Sequence, residues 1–190
     1  MNKIENAIRF AVDAHAGTKR KGKERPYILH PLDVMSIVAG ITEDEDVIAA
    51  SVLHDTVEDT SVTEEDIFRE FGERVAALVM AESENKRAEE SSESTWKIRK
   101  AETINHMITA SRDVKLICLG DKLANLREIA RDYSQLGDAL WNRFNQKDST
   151  LHAWYYSSVY QILHEEFGDI PVIMEYGRLL KTVFGDVEKE

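Results

Sequence analysis

One cysteine, three prolines and nine glycines are all that punctuate this chain of 190 residues, and each shortage narrows what it can be. A lone cysteine forms no internal disulfide, so no cystine framework of a secreted domain is available. Cys118 sits in Val114-Lys115-Leu116-Ile117-Cys118-Leu119, an apolar stretch that reads as core. No apolar run approaches the roughly 20 residues a membrane-spanning helix needs. Charges run through Met1 to Phe10, where a signal peptide would carry an apolar segment. Positive charge is scarce as well: 24 lysines and arginines face 35 aspartates and glutamates, for a net charge of −11. Such a surface repels nucleic acid, and no extended basic stripe relieves it. The expectation is a cytoplasmic protein with no membrane and no nucleic-acid partner, a monomer or a homodimer.

What is present is helix. Hydrophobic residues make up 43% of the chain, enough for one compact domain over residues 1–190, and no period-2 strand pattern occurs. The expected fold is all-α, a single-domain helical bundle. Ile4, Ile8, Ala11, Val12 and His15 share one helical face that Gly17 can end. Pro31 suits the first turn of a helix over 32–39. A third helix is expected over 43–59, and Thr63 caps the next, with Glu64, Glu65 and Asp66 in its first turn. Helices are further expected over 74–81, 96–110, 113–131, 148–167 and 170–184. The polar stretch 82–95, with its glutamates and serines, reads as a loop and a candidate lid.

The chemistry concentrates in His54-Asp55-Thr56-Val57-Glu58-Asp59, with His30 upstream in Tyr27-Ile28-Leu29-His30-Pro31 and Asp121 downstream in Leu119-Gly120-Asp121-Lys122-Leu123. A helix turns every 3.6 residues, so Glu58 follows His54, and Asp59 follows Asp55, by one turn. Ala49, Ala50 and Leu53 make this helix largely buried, and buried carboxylates need partners. Asp121 interrupts an apolar helix face, which costs several kcal/mol unless a cation compensates. Adjacent positions diverge around a helix, so Lys122 is not expected to be that cation. Two imidazoles and two carboxylates can hold one divalent metal, manganese, zinc or iron. The chemistry that follows is metal-assisted hydrolysis of a phosphate ester or anhydride, with Glu58 or Asp59 taking the proton of the attacking water. Lys19-Arg20-Lys21-Gly22-Lys23-Glu24-Arg25 sets five positive charges against one negative just upstream of His30, a patch suited to a small anionic ligand.

These motifs, in this order, resemble the HD-domain phosphohydrolases, and more narrowly the hydrolase domain of the RelA/SpoT family and its single-domain small alarmone hydrolases. The resembling segments also include Ala14-His15-Ala16-Gly17, Phe71-Gly72-Glu73-Arg74-Val75 and Asp121-Lys122-Leu123-Ala124-Asn125-Leu126-Arg127, so the likeness spans roughly residues 10–130. It implies removal of the 3′-pyrophosphate of guanosine tetra- and pentaphosphate, with manganese as the metal. It implies His30, His54, Asp55 and Asp121 as metal ligands, Glu58 and Asp59 on the water, Arg20 and Lys21 on phosphates, and Asn125 on the nucleotide sugar. Lys97, Arg143 and Tyr155 are candidates for the remaining nucleotide contacts. The chain departs from the family in its more basic Gly22-Lys23-Glu24-Arg25 turn and in the acidic stretch 82–93. With 190 residues there is no room for the synthetase and regulatory domains of the long members, so hydrolysis alone is expected. Two alternatives stand beside this reading: a phosphatase acting on another phosphorylated nucleotide, such as the 2′-phosphate of NADPH, and a non-catalytic nucleotide sensor. The sensor would be expected to have lost a metal ligand or Glu58 or Asp59, and none is lost.

Overall fold

The computed structural model describes residues 2–83 and 93–185. The helices are α1 (Lys3–Ala14), α2 (Leu29–Ala39), α3 (Glu45–Leu53), α4 (Thr56–Asp59), α5 (Glu64–Phe71), α6 (Glu73–Glu82), α7 (Trp96–Thr109), α8 (Arg112–Leu136), α9 (Ser149–Phe167) and α10 (Pro171–Phe184), with a 3-10 segment at Gly137–Arg143. Among the described residues there is no strand, only an isolated antiparallel bridge between Lys19 and Pro26. The all-α expectation holds. The expected loop over 82–95 falls mostly on residues 84–92, which lie outside the described residues.

The described residues form two compact units, one within 2–83 and 111–124, the other within 93–110 and 125–185, with α8 contributing to both. The first unit is organised around α3. Val47, Ile48, Ala49, Ala50, Val52 and Leu53 are at most 6% exposed, and the helix packs against α1, α2 and α6. A helix that is apolar on every side is stable only when surrounded. Asp44 caps it, accepting from the Asp46 and Val47 amides at 3.0 and 3.5 Å. Arg74 forks onto Asp44 at 3.0 and 2.8 Å and reaches Asp113 at 2.9 Å. The pair is half-exposed and contributes only about 0–1 kcal/mol, but it ties together the starts of α3, α6 and α8.

Three boundaries differ most from the sequence expectation; one is the end of α8, which runs past the expected 131 to Leu136. Helix α2 starts at Leu29, three residues early, because the Ile28 carbonyl already accepts from the Leu32 amide at 3.2 Å. Pro31 costs nothing there, since first-turn amides have no helical partner. The expected helix over 43–59 is two helices, broken at His54 and Asp55. His54 Nδ1 lies 2.8 Å from the Ser51 carbonyl, and the Thr56 hydroxyl donates to the Leu53 carbonyl at 2.6 Å. Side chains thus take acceptors that main-chain amides would otherwise use. Both residues at the break keep right-handed helical dihedrals, and the Asp59 amide again donates to the Asp55 carbonyl at 2.9 Å.

Gly120 sets how closely α8 approaches α2. A Cβ there would lie 2.8 Å from Val38 Cγ2, 3.1 Å from Val34 Cγ1 and 3.2 Å from the Val34 carbonyl oxygen. Replacing a mid-helix glycine by alanine ordinarily stabilises by about 1 kcal/mol. Overpacking a close contact costs about 1–3 kcal/mol, and one neighbour here is backbone, which cannot rotate away. The second effect wins, so Gly120→Ala lowers the melting temperature in a thermal denaturation experiment. An unchanged or higher melting temperature would contradict this packing.

The second unit is built on α7, α9 and α10, with α9 packing on both of the others. Its core is aromatic: the His152 ring lies 5.1, 5.0 and 5.1 Å from those of Trp96, Trp141 and Phe144. Tyr155 and Tyr156 are buried in it, and the Tyr176 hydroxyl donates to the Tyr156 carbonyl at 3.2 Å.

Candidate metal centre

Three elements of the first unit converge on one cluster. His30 stands in the first turn of α2, His54 and Asp55 at the α3–α4 break, and Asp121 on α8 beside Gly120. His30, His54 and Asp121 are buried, and each presents one donor atom within 4.8 Å of the others. Asp121 Oδ1 lies 3.0 Å from His30 Nε2 and 3.7 Å from His54 Nε2. Asp55 Oδ2 lies 3.0 Å from His54 Nε2 and 3.6 Å from His30 Nε2. The helix break matters here, because it lets consecutive residues, His54 and Asp55, turn toward the same point.

The hydrogen bonds set the state of His54. The Ser51 carbonyl can only accept, so Nδ1 carries a proton and Nε2 faces the carboxylates. That buried Nε2 makes no hydrogen bond of good geometry, although Asp55 is 3.0 Å away. A lone pair facing a carboxylate oxygen is repulsive unless a proton or a metal ion lies between them. Burial drives the His54 pKa down, but Asp55 and Asp121 more than reverse this and hold it well above the ordinary imidazole value. Burial pushes the Asp55 carboxyl up, and the neighbouring His54 imidazole more than offsets it, so Asp55 titrates below the usual carboxylate range. Asp121 is likewise held low, its burial outweighed by Lys122 and the two histidines. Two imidazoles with Nε2 inward thus face two carboxylates held ionised. This donor set fits a divalent transition metal, which the inward imidazole nitrogens and carboxylate oxygens would hold once the imidazoles are neutral.

Lys122 is a correction. Its ammonium pairs with Asp121 Oδ2, although the two residues are adjacent on the helix. The four-carbon stem of lysine is long enough to curl back along the helix surface. One oxygen of Asp121 thus meets Lys122 while the other faces the histidines.

Glu58 is half-buried and Asp59 exposed on α4, one turn beyond His54 and Asp55. Tyr27, to which the sequence assigned no role, donates its hydroxyl toward Asp55 Oδ2 at 2.6 Å and Asp59 Oδ2 at 2.9 Å. Burial, then Asp55 and Asp59, push its pKa far up, so the phenol stays protonated. Glu82, at the end of α6, is a second such residue. Its Oε1 is buried without a hydrogen-bond partner, and desolvation pushes its carboxyl up to about 7. Tyr27 stands in the same block as His30, but the sequence gives it no role, and no motif marks Glu82; the fold brings both near the cluster.

The basic loop is closed on itself. The Arg20 amide donates to the Arg25 carbonyl at 2.9 Å and the Tyr27 amide to the Thr18 carbonyl at 3.0 Å. Gly22 sits at the tip with φ 73°, a left-handed conformation that glycine adopts without strain. Lys19 pairs with Glu24, Lys21 is exposed, and the Arg20 guanidinium carbon lies 5.4 Å from the centre of the Tyr27 ring. Asn125 and Lys97 belong to the second unit: Asn125 on α8, one turn beyond Asp121, and Lys97 exposed in the first turn of α7. Arg143, at the end of the 3-10 segment, pairs with Asp132 at 3.3 Å, and Tyr155 is a core residue with Lys100 over its ring at 5.0 Å. No helix of the described residues is long and apolar enough to cross a membrane.

The chain is similar to several known proteins. The chain is 39% identical over 132 residues to guanosine-3′,5′-bis(diphosphate) 3′-pyrophosphohydrolase MESH1 of Xenopus tropicalis, covering 67% of this chain and 70% of that protein. It is 38% identical over 129 residues to the guanosine-3′,5′-bis(diphosphate) 3′-pyrophosphohydrolase of Aquifex aeolicus, covering 66% of this chain and 18% of that longer protein. A solved structure of a metazoan ortholog of SpoT that hydrolyses ppGpp aligns with a TM-score of 0.78 and 26% identity over 97% of both chains. The structure of lmo0812 from Listeria monocytogenes aligns with a TM-score of 0.70 and 34% identity over 87% of this chain and 99% of that one. The sequence profile of the HD domain matches residues 7–150, which include all four clustered residues, and the chain belongs to the HD domain family.

Proposed function

We propose that this protein is a manganese-dependent phosphohydrolase that removes the 3′-pyrophosphate from guanosine 3′,5′-bis(diphosphate), releasing GDP and pyrophosphate, and GTP and pyrophosphate from the pentaphosphate. The observation that carries it is the inward-facing set of two imidazoles and two ionised carboxylates, with further carboxylates one turn along the chain. The relatives named for this reaction, the vertebrate and bacterial 3′-pyrophosphohydrolases, support the choice of substrate. We assign His30, His54, Asp55 and Asp121 as the metal ligands and read residues 1–190 as one hydrolase domain. When bound, the ion would supply Lewis-acid charge neutralisation at the phosphoryl oxygens and lower the pKa of water.

The side chains do the rest. Glu58 and Asp59 orient the attacking water and take its proton as its oxygen bonds to the phosphorus attached to ribose O3′. That P–O bond breaks, O3′ takes up a proton, and pyrophosphate departs. Arg20 and Lys21 hold the phosphates; the loop that carries them is closed by its own main-chain bonds, so little ordering is left to binding. Following the family resemblance, Asn125 contacts the sugar; Lys97 is a candidate for a further nucleotide contact. The net charge of −11 supports a small phosphorylated nucleotide over nucleic acid as the partner, and the single cysteine suits the cytoplasm.

The test is an assay of purified, metal-stripped protein with guanosine tetraphosphate or NADPH, with and without manganese, products being resolved by ion exchange. The expected result is manganese-dependent appearance of GDP and pyrophosphate. Conversion of NADPH to NADH with the alarmone untouched would overturn the substrate. No turnover of either would overturn the activity.

A further inference from the structure

Tyr27 lies between three functional groups without being a metal ligand or a water activator. Its hydroxyl has one proton and two carboxylate neighbours, Asp55 Oδ2 at 2.6 Å and Asp59 Oδ2 at 2.9 Å. The Asp55 oxygen it touches is the one that faces His54 and His30. The phenol has a single proton and lies within hydrogen-bond reach of both carboxylates, so it links Asp59 to Asp55 through one donor.

The ring is held as firmly as the hydroxyl. The Tyr27 amide donates to the Thr18 carbonyl at 3.0 Å, and the Tyr27 carbonyl accepts from the His30 amide at 2.9 Å. One neighbour of the ring is His15, with centroids 4.8 Å apart and planes at 35°. His15 is 3% exposed, neither of its ring nitrogens has a hydrogen-bond partner, and burial lowers its pKa. It therefore acts as a neutral, flat packing plate. Another neighbour is Arg20, whose guanidinium carbon is 5.4 Å from the ring centroid.

We propose that Tyr27 is a positioning residue that fixes the water-activating carboxylate Asp59 against the metal ligand Asp55, and that its ring carries the same alignment to the phosphate-binding Arg20. This rests on the hydrolase reading above, in which Asp55 and Asp59 hold those roles. Tyr27→Phe keeps the ring and its packing and removes only the hydroxyl.

The experiment pairs two readouts on wild type, Tyr27→Phe, Asp59→Asn and the double variant. The first is the manganese dissociation constant from electron paramagnetic resonance of free Mn2+, with no substrate present. The second is kcat and KM for guanosine tetraphosphate at saturating manganese, with melting temperatures as the check on folding. A hydrogen bond to an ionised group is worth on the order of ten- to a hundredfold. Tyr27→Phe should therefore lose about tenfold or more in kcat, with KM changed by less than about threefold. Manganese should bind several-fold more weakly. In the Asp59→Asn background the same substitution should cost far less, because the partner it positions is gone. A wild-type kcat in Tyr27→Phe would overturn the proposal, as would a loss undiminished in the Asp59→Asn background. If wild type cleaves no guanosine tetraphosphate yet Tyr27→Phe still weakens manganese binding, the hydrolase reading fails and the Tyr27–Asp55 link stands.

Discussion

Asp55→Ala removes turnover and strips the protein of tightly held manganese. Asp55 Oδ2 lies 3.0 Å from His54 Nε2 and 3.6 Å from His30 Nε2, so it is the carboxylate that faces both imidazoles from the helix break. Losing a group that merely orients a ligand costs metal affinity about 10–100-fold; losing a ligand itself must cost at least that. The substitution also leaves His54 buried with one compensating carboxylate, Asp121 at 3.7 Å, in place of two. Removing one partner from a buried pair costs about 3–5 kcal/mol, so the metal-free variant should melt lower than the metal-free wild type. Metal analysis by inductively coupled plasma mass spectrometry, with a turnover assay on the same sample, checks the expectation. Full metal content with full activity would mean the cluster is not the site.

Glu58→Ala should separate holding the metal from using it. Glu58 stands on α4 one turn beyond His54, outside the clustered His30, His54 and Asp121 and the adjoining Asp55. Manganese affinity should remain within a few-fold of wild type. Turnover should fall by about 10²–10⁴-fold, the usual contribution of a positioned acid or base, with Asp59 left to support what remains. Stopped assays at saturating manganese, alongside a binding titration, give both numbers. If metal affinity and turnover fell together by the same factor, Glu58 would be acting on the metal rather than on the water.

The contrast between these two variants follows from what the sequence makes legible. Histidines and carboxylates are conspicuous in apolar surroundings, so His30, His54, Asp55 and Asp121 stand out from the residues around them. The all-helical fold is legible for a similar reason: apolar residues recur at helical spacing, and glycines and prolines fall near helix ends. The break at His54 and Asp55 is not legible, because it depends on which carbonyls the His54 and Thr56 side chains capture. Tyr27 and Glu82 are not legible either. Tyr27 sits in the block that carries His30, yet nothing there says which carboxylates its hydroxyl reaches, and a glutamate at the start of a polar stretch carries no periodicity that marks it; both placements arise from distances across the fold. The Lys122–Asp121 pair shows the limit of helical-wheel reasoning. The wheel places Cβ atoms, whereas a lysine ammonium reaches well beyond its own Cβ.

The measurement that bears most directly on the account is a manganese titration of the metal-stripped protein, followed by electron paramagnetic resonance of free Mn2+, for wild type and Asp55→Ala. The account predicts one site per wild-type chain, with guanosine tetraphosphate turnover rising in step with its occupancy, and loss of that site in Asp55→Ala. A wild-type chain that binds no manganese, or a site that survives Asp55→Ala unchanged, would contradict it.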